Sequence, residues 1–241
     1  MLVIEIDENL TALNQLSKNV FRSQNSKKIM SSKMQELLNQ AAQQSKQNSS
    51  AGSSVACANR AFIHNSEAEN IFARLKQKLL RINEWNEKSA LTSFQLFDSG
   101  GVARQEKMAT VNDFIRLDLH GSGKYDWVKI IAVDDATDET VLTIKPSFNP
   151  TEKQTETSVT SHFFTSDATN NFCLRRRENT IDFCVIGLNE QTNFADTKNF
   201  IETARNFATS NTGYYLGIQK AEWKTFCENF LETGESGMVK E

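Results

Sequence analysis

The spacing of apolar residues divides the chain into a helical start, a long stretch of alternation and a helical end. Apolar residues between 68 and 79 recur every three or four positions, which predicts an amphipathic helix over about residues 66–80. From residue 92 the period changes to two, which predicts β-strands, and after residue 196 helical spacing returns. The predicted strands are 60–64, 92–97, 102–108, 113–119, 126–133, 140–146, 160–164, 171–177 and 180–187, and the predicted closing helices are 196–210 and 219–233.

This order of elements predicts an α+β domain over residues 60–234, followed by a tail of residues 235–241. Short polar turns join most of the strands, so we expect an antiparallel sheet with one face on a core and the other in solvent. The last hairpin sets a register. If residues 178–179 form a two-residue turn, Cys173 lies opposite Cys184 and Arg175 lies opposite Asp182.

The cysteines bear on the compartment. The first residues have neither a basic segment nor an apolar core of the kind found in signal peptides, so we expect a cytoplasmic protein. Disulfides are rare in that reducing setting, and we therefore expect Cys173 and Cys184 to be free thiols. A disulfide across the hairpin is the alternative that the register leaves open.

The segment before the domain has a different composition. Gln, Asn and Ser fill 19 of the 38 positions from 22 to 59, and five basic residues against one acidic residue make this segment +4 while the rest of the chain is −7. We expect an N-terminal helical and polar arm over residues 1–48 and a flexible linker over residues 49–59. Apart from Ala41, the apolar stripe of the arm consists of Met30, Met34, Leu37 and Leu38.

This stripe is too narrow to stabilise an isolated helix. It must therefore dock on the domain, pair with a second copy of the chain or bind another protein. A disordered, solubilising arm is the remaining alternative.

Two segments of the domain resemble a known superfamily. Residues 62–72 (FIHNSEAENIF), followed by Trp85, are similar to the opening strand and helix of the START-like helix-grip superfamily, which includes polyketide cyclases and lipid-transfer domains. Residues 222–234 (EWKTFCENFLETG) are similar to the closing helix of its chaperone-ATPase-activator branch. The resemblance implies a curved antiparallel sheet wrapped on a C-terminal helix, with an apolar cavity between them and no invariant catalytic residues. The helix at 196–210, the strand at 160–164 and the arm depart from that pattern.

Aromatic residues at element ends or on apolar faces are the candidates to line such a cavity, although the same residues would also suit a packed core. They are Phe72, Trp85, Phe94, Trp127, Phe183, Trp223 and Phe226.

No motif indicates a catalytic residue, a cofactor or a metal site. The chain lacks a G-x-S-x-G elbow, residues 121–124 (GSGK) lack the rest of a P-loop, and the three histidines have no metal-ligand spacing. The net charge of −3 and the absence of interleaved basic and aromatic residues argue against nucleic-acid binding. No apolar run approaches the roughly 18–20 residues of a membrane span.

The sequence thus favours a non-enzymatic binding or assembly protein whose arm, residues 1–48, docks on a protein partner or self-associates. The alternative is a protein that binds a small apolar ligand between sheet and helix. A cyclase-type or hydrolase-type enzyme that uses His162, His120 or Asp118 as acid or base is a third hypothesis.

Overall fold

The computed structural model describes residues 32–47, 52–89, 92–119, 125–153, 164–191 and 212–232, without the side chains of 119 and 212–221. Within these residues one sheet of seven antiparallel strands has the order β1-β7-β6-β5-β4-β3-β2. The strands are β1 (Gly52–Ala61), β2 (Thr92–Phe97), β3 (Phe114–Leu119), β4 (Tyr125–Asp135), β5 (Glu139–Pro146), β6 (Thr169–Arg177) and β7 (Thr180–Glu190). The helices are α1 (Lys33–Lys46), α2 (Asn65–Leu80), a 3-10 helix (Ile82–Glu87) and α3 (Thr212–Leu231).

Strands β2 to β7 form a meander, and β1 joins its far edge by pairing with β7. The inner face of the sheet carries the main core, to which α2, the 3-10 helix and α3 contribute buried side chains. Helix α1 packs on the outer face. This is the predicted α+β, helix-grip-like arrangement of an antiparallel sheet with a C-terminal helix, to which an N-terminal helix is added.

The first predicted hairpin is wrong at its second strand. Residues 102–108 form only an isolated bridge, between Phe97 and Ala103. A side chain binds the backbone N–H groups in this segment. Asp98 Oδ1 accepts from the amides of Gly100 and Val102 at 2.9 and 3.0 Å. These local hydrogen bonds compete with a ladder.

Strand β1 overturns most of the predicted linker at 49–59. It begins at Gly52 and pairs with β7 as far as Ala61. Its small residues show little apolar alternation, so the strand depends on backbone hydrogen bonds to a partner more than 100 residues away in the sequence. Helix α2 begins at Asn65, one residue before the predicted helix over about 66–80, with His64 at the N-cap position and no side-chain cap bond.

Helix α1 is anchored to the outer face at its first turn. The Glu139 carboxylate accepts from the backbone N–H groups of Lys33 and Met34 at 2.8 and 3.1 Å, and from the Ser32 hydroxyl. Arg175 donates to the same hydroxyl at 3.0 Å. A carboxylate at this position accepts hydrogen bonds from the free amides of the first turn and interacts favourably with the positive end of the helix dipole. A helix with a narrow stripe is therefore stable here because the sheet caps it.

The register of the last hairpin is confirmed, since Cys173 lies opposite Cys184 and Arg175 opposite Asp182. The expectation of two free thiols is wrong for Cys184, which is bonded to Cys57 of the edge strand β1, while Cys173 is free. The outer face here meets α1 and not solvent, because Cys173 and Cys184 are both buried beneath it.

Candidate functional site

The centre of the space between the sheet and α3 is filled by aromatic rings. Phe226 of α3 lies with its ring centroid 5.6 Å from that of Trp85 and 6.1 Å from that of Phe183. Phe183 stacks on Phe230 at 4.1 Å. All of these side chains are fully buried. We call this cluster the aromatic centre; its members are Trp85, Phe94, Phe172, Phe183, Phe226 and Phe230.

The C-terminal end of α3 is closed by cations. Lys78 Nζ donates to the carbonyl of Phe230 at 3.0 Å and lies 4.7 Å from the centroid of its ring. Arg60 donates to the carbonyl of Leu231 at 3.1 Å. Positive groups at a helix C-terminus satisfy its free carbonyls and its dipole. We call this region the capped end.

Near the middle of α3, the indole N–H of Trp223 is not satisfied in this way. Trp223 is packed against Phe172 and Phe226, with ring centroids 5.5 Å from each, and its Nε1 is buried without a hydrogen-bond partner in the described part of the chain. The preceding residue fixes α3 against β2, because Glu222 Oε1 accepts from the hydroxyls of Ser89 and Thr92, both at 2.8 Å. The indole N–H is thus held at a defined position, and none of the described residues accepts from it.

Asn170 supplies a complementary acceptor on the same face. It lies two residues before Phe172 on β6, so alternation directs both side chains to the inner face. Asn170 is 7% exposed, and its Oδ1 is buried without a partner among the described residues. A buried polar atom without a partner destabilises a fold by about 1–3 kcal/mol, so such atoms are uncommon unless something else binds them.

Glu190 completes the group. Its Oε1 accepts from the Ser54 hydroxyl at 2.8 Å, and burial raises the pKa of the Glu190 carboxyl while that hydrogen bond opposes the shift. Gly187, the cross-strand partner of Asn170, makes room: a Cβ there would overlap the Glu190 carboxylate and lie 2.5 Å from the Ser54 hydroxyl oxygen. We call this group the polar end of the inner face; its members are Ser54, Asn170, Glu190 and the indole N–H of Trp223.

The predicted cavity residues therefore fall into three groups. Phe72, Trp85, Phe94, Phe183 and Phe226 are buried in the main core. Trp223 lies between the aromatic centre and the polar end. Trp127 lies on the outer face with Phe97, Phe114 and Phe148, because its neighbour Val128 takes the inward position on β4, and it cannot line a space beneath α3.

The predicted stripe of the arm lies against the chain's own sheet. Met34 and Leu37 are 1% and 5% exposed, and they contact outer-face residues of β5, β6 and β7. Leu38 packs beside them and is partly buried, and Met30 lies outside the described residues. In this fold the first of the three predicted options, docking on the domain, accounts for the buried part of the stripe.

The other residues considered as acids, bases or metal ligands do not form a common site among the described residues. Asp118 has the outward position on β3, two residues after Arg116, while His120 and His162 lie outside the described residues. The described residues contain no group of three or more potential metal ligands. No helix among them is long and apolar enough to cross a membrane. The three consecutive arginines form ion pairs, with Arg175 and Arg177 on Asp182 and Arg176 on Asp138.

Sequence reasoning missed the polar end. Asn170 lies just before the predicted strand at 171–177, and Glu190 lies just after the predicted strand at 180–187. Extending both strands by the alternation of the flanking residues would have placed Asn170 on the inner face, but no local signal places Glu190 there.

Comparison with known proteins gives structural neighbours only. No protein-family model matches the chain, and no curated protein matches it. A hypothetical protein of Helicobacter pylori, jhp0584, has 4% identity and a TM-score of 0.45, covering 87% of this chain and 98% of its own. The di-domain ARO/CYC protein StfQ of the steffimycin pathway has 7% identity and a TM-score of 0.40, covering 74% of this chain and 49% of its own.

Norcoclaurine synthase from Thalictrum flavum, solved with dopamine and hydroxybenzaldehyde, has 9% identity and a TM-score of 0.36, covering 86% of this chain and 98% of its own. At these identities and TM-scores, the neighbours do not indicate what this chain binds.

Proposed function

We propose that the protein binds a small, largely apolar molecule at the polar end of the inner face, between β6, β7 and the middle of α3. Six buried side-chain atoms among the described residues have no hydrogen-bond partner. The observation that carries this proposal is that two of them, the Trp223 indole N–H and Asn170 Oδ1, lie on the inner face beside Phe172. One is a donor and the other an acceptor, and each is next to Phe172. A ligand that accepts from the first and donates to the second would satisfy both.

The surroundings define the class of ligand. Phe172 and the edge of the aromatic centre offer apolar contact, and Glu190 offers a carboxyl whose pKa is raised by burial. Such a carboxyl keeps its proton to a higher pH than an ordinary glutamate does. A flat or cyclic molecule with a hydroxyl or carbonyl group fits this combination better than a charged one.

The aromatic centre limits where the ligand can lie. Its rings contact one another at centroid distances of 4.1–6.3 Å, so that region is packed core. The ligand would therefore lie beyond Trp223, on the side of Asn170 and Glu190, and not beneath Phe226.

The partner-binding role predicted for the arm has less support. Its stripe residues Met34 and Leu37 are already buried against the sheet. A partner could bind them only after α1 left the outer face and lost its hydrogen bonds to Glu139.

A neutral bicyclic alcohol, 2-naphthol, is a suitable probe because its hydroxyl both donates and accepts. Its affinity for the full chain can be measured by fluorescence anisotropy for the wild type, Trp223→Phe and Asn170→Leu. We expect each substitution to weaken binding by about tenfold, the value of one good hydrogen bond in a buried site. Trp127→Phe is the matched control, since it makes the same change on the outer face and should leave the affinity unchanged.

The result can go against the proposal in two ways. Wild-type protein that shows no binding up to about 1 mM probe, the weak end of specific affinities, would overturn it. Equal binding by the wild type and by both inner-face variants would place the probe elsewhere and would also overturn it. Native mass spectrometry of protein purified from its own host then identifies the natural ligand.

A further inference from the structure

Helix α1 and the polar end lie on opposite faces of the same two strands. On the outer face, the Ser53 hydroxyl donates to the carbonyl of Ala41 at 2.8 Å and lies 2.9 Å from the Ser45 hydroxyl. Ser53 directly precedes Ser54 of the polar end. The same relation holds on β7, where Asn189 contacts α1 and directly precedes Glu190.

The contact on β7 has two hydrogen bonds. Gln44 Nε2 donates to Asn189 Oδ1 at 2.7 Å, and the backbone N–H of Asn189 donates to Gln44 Oε1 at 3.1 Å. One amide side chain thus binds both the side chain and the backbone of a single residue. This pairing fixes the conformation of Asn189 more tightly than one bond would.

Asn189 is at an irregularity of the sheet. Ser54 pairs with Gly187 and Gly52 pairs with Glu190, so β7 has one more residue than β1 in this interval, which is a β-bulge. Asn189 has φ of +54°, in the left-handed region that asparagine tolerates better than most residues. Helix α1 therefore binds the residue that makes the bulge.

The bulge determines which face Glu190 occupies. Val185 and Gly187 have inward positions on β7, and Leu188 packs outward against α1. Regular alternation from Leu188 would direct residue 190 outward. Because the bulge adds one residue, Glu190 turns inward and binds Ser54.

We infer that α1 holds the bulge that turns Glu190 to the inner face, so that Gln44 is a positioning residue for the polar end. Its consequence for ligand binding rests on the proposed function, but the positioning itself does not. In this role the N-terminal arm serves the site from the other side of the sheet.

The test uses Gln44→Ala with Gln43→Ala as the matched control. Gln43 is the neighbouring residue on α1, is exposed, and makes no hydrogen bond to the described residues. The readout is the pH titration of the Glu190 side-chain carboxyl by carbon-13 NMR on the ligand-free full chain, with the resonance assigned by its loss in Glu190→Gln. Burial is the larger cause of the raised pKa of Glu190, and no charged group among the described residues contributes to it.

We expect the pKa of Glu190 to move toward its ordinary value in Gln44→Ala and to stay in place in Gln43→Ala. Gln44→Glu keeps the acceptor for the Asn189 amide and should give an intermediate titration. An unchanged titration in Gln44→Ala would overturn the inference, whatever happens to ligand binding.

Ligand binding gives the second arm. Affinity for 2-naphthol should fall by about threefold to tenfold in Gln44→Ala and remain at the wild-type value in Gln43→Ala. If the wild type binds no probe while the titration shifts as expected, the proposed function fails and the positioning role stands. If the probe binds the wild type and the titration does not shift, the opposite holds.

Discussion

The capped end and the polar end of the inner face both combine a tryptophan indole with polar groups next to the aromatic centre. They differ in whether those polar groups have hydrogen-bond partners. At the capped end, Lys78 and Arg60 bind the last carbonyls of α3, and the Trp85 indole N–H donates to the carbonyl of Lys78 at 3.2 Å. At the polar end, the indole nitrogen of Trp223 and the amide oxygen of Asn170 are also buried atoms, but they have no partner among the described residues.

The two ends therefore have different roles on the same face of the sheet. The capped end contributes to stability, and the polar end is the proposed ligand site. A satisfied buried group contributes about 0.5–1.5 kcal/mol to folding, whereas an unsatisfied one opposes folding by a similar or larger amount. Buried polar groups without partners are uncommon in natural proteins, and local rules of this kind are broken mainly at functional or strained sites. The capped end and the aromatic centre thus supply the stability that allows the polar end to be unsatisfied.

The largest effect is expected from the aromatic centre itself. Phe226→Ala removes a fully buried ring with six aromatic neighbours and should lower the free energy of unfolding by about 3–5 kcal/mol. Urea unfolding followed by circular dichroism measures it. Lys224→Ala, at an exposed position on the same helix, should change stability by less than about 0.5 kcal/mol. A loss below about 1 kcal/mol for Phe226→Ala would mean that the centre is loosely packed and is itself the cavity.

The two tryptophans provide the sharpest comparison of the two ends. Trp85→Phe removes a satisfied N–H and leaves a void at a fully buried position, so we expect a loss of about 2–3 kcal/mol. Trp223→Phe removes an N–H without a partner from a half-buried ring, so we expect a loss below about 1 kcal/mol. Both values come from the same urea titration, and equal losses would contradict the distinction between the ends.

Sequence reasoning predicted the elements whose signals are local. The helix that became α2, the six strands of the meander and the register of Cys173 on Cys184 all follow from residue spacing over fewer than 20 positions. The pairing of Cys184 with Cys57 was not predictable in the same way. It depends on β1, an edge strand of small residues whose pairing with β7 bridges 127 residues of sequence.

The candidate site was less predictable than the fold for a related reason. Trp127 and Val128 are adjacent and both apolar, so only the register of β4 shows that Trp127 points away from the core. Glu190 faces inward only because of a bulge that α1 holds from the other face. The narrow stripe of the arm predicted that it must dock, but the surface it covers is formed by strands far away in sequence.

Asn170 offers a smaller effect of the opposite sign. In the ligand-free protein, Asn170→Leu replaces a buried oxygen without a partner by an apolar group of similar size and should raise the free energy of unfolding by about 1 kcal/mol. The neighbouring Asn171→Leu is the control. It removes buried hydrogen bonds to Thr143 and to the carbonyl of Ile186, at 2.9 and 3.0 Å, and should destabilise the fold by about 1–3 kcal/mol. If Asn170→Leu destabilised the protein as much as Asn171→Leu, Asn170 would be a structural residue and not part of a site.

The smallest effect concerns the charge at the capped end. Burial is the main cause that lowers the pKa of Lys78 from 10.5 to about 8. Between these two pH values the unfolded chain holds a proton that the folded protein has released, so the free energy of unfolding should rise as the pH is raised from about 8 toward 10.5. Because solvent screens this half-buried amine, the slope should be well below the roughly 1.4 kcal/mol per pH unit of a full proton. Lys78→Met should remove this component of the slope, whereas Lys224→Met, which removes a charge from an exposed position, should retain it. If the wild type and Lys78→Met have the same slope, the capped end is more hydrated than its hydrogen bonds imply, and the contrast with the polar end is correspondingly smaller.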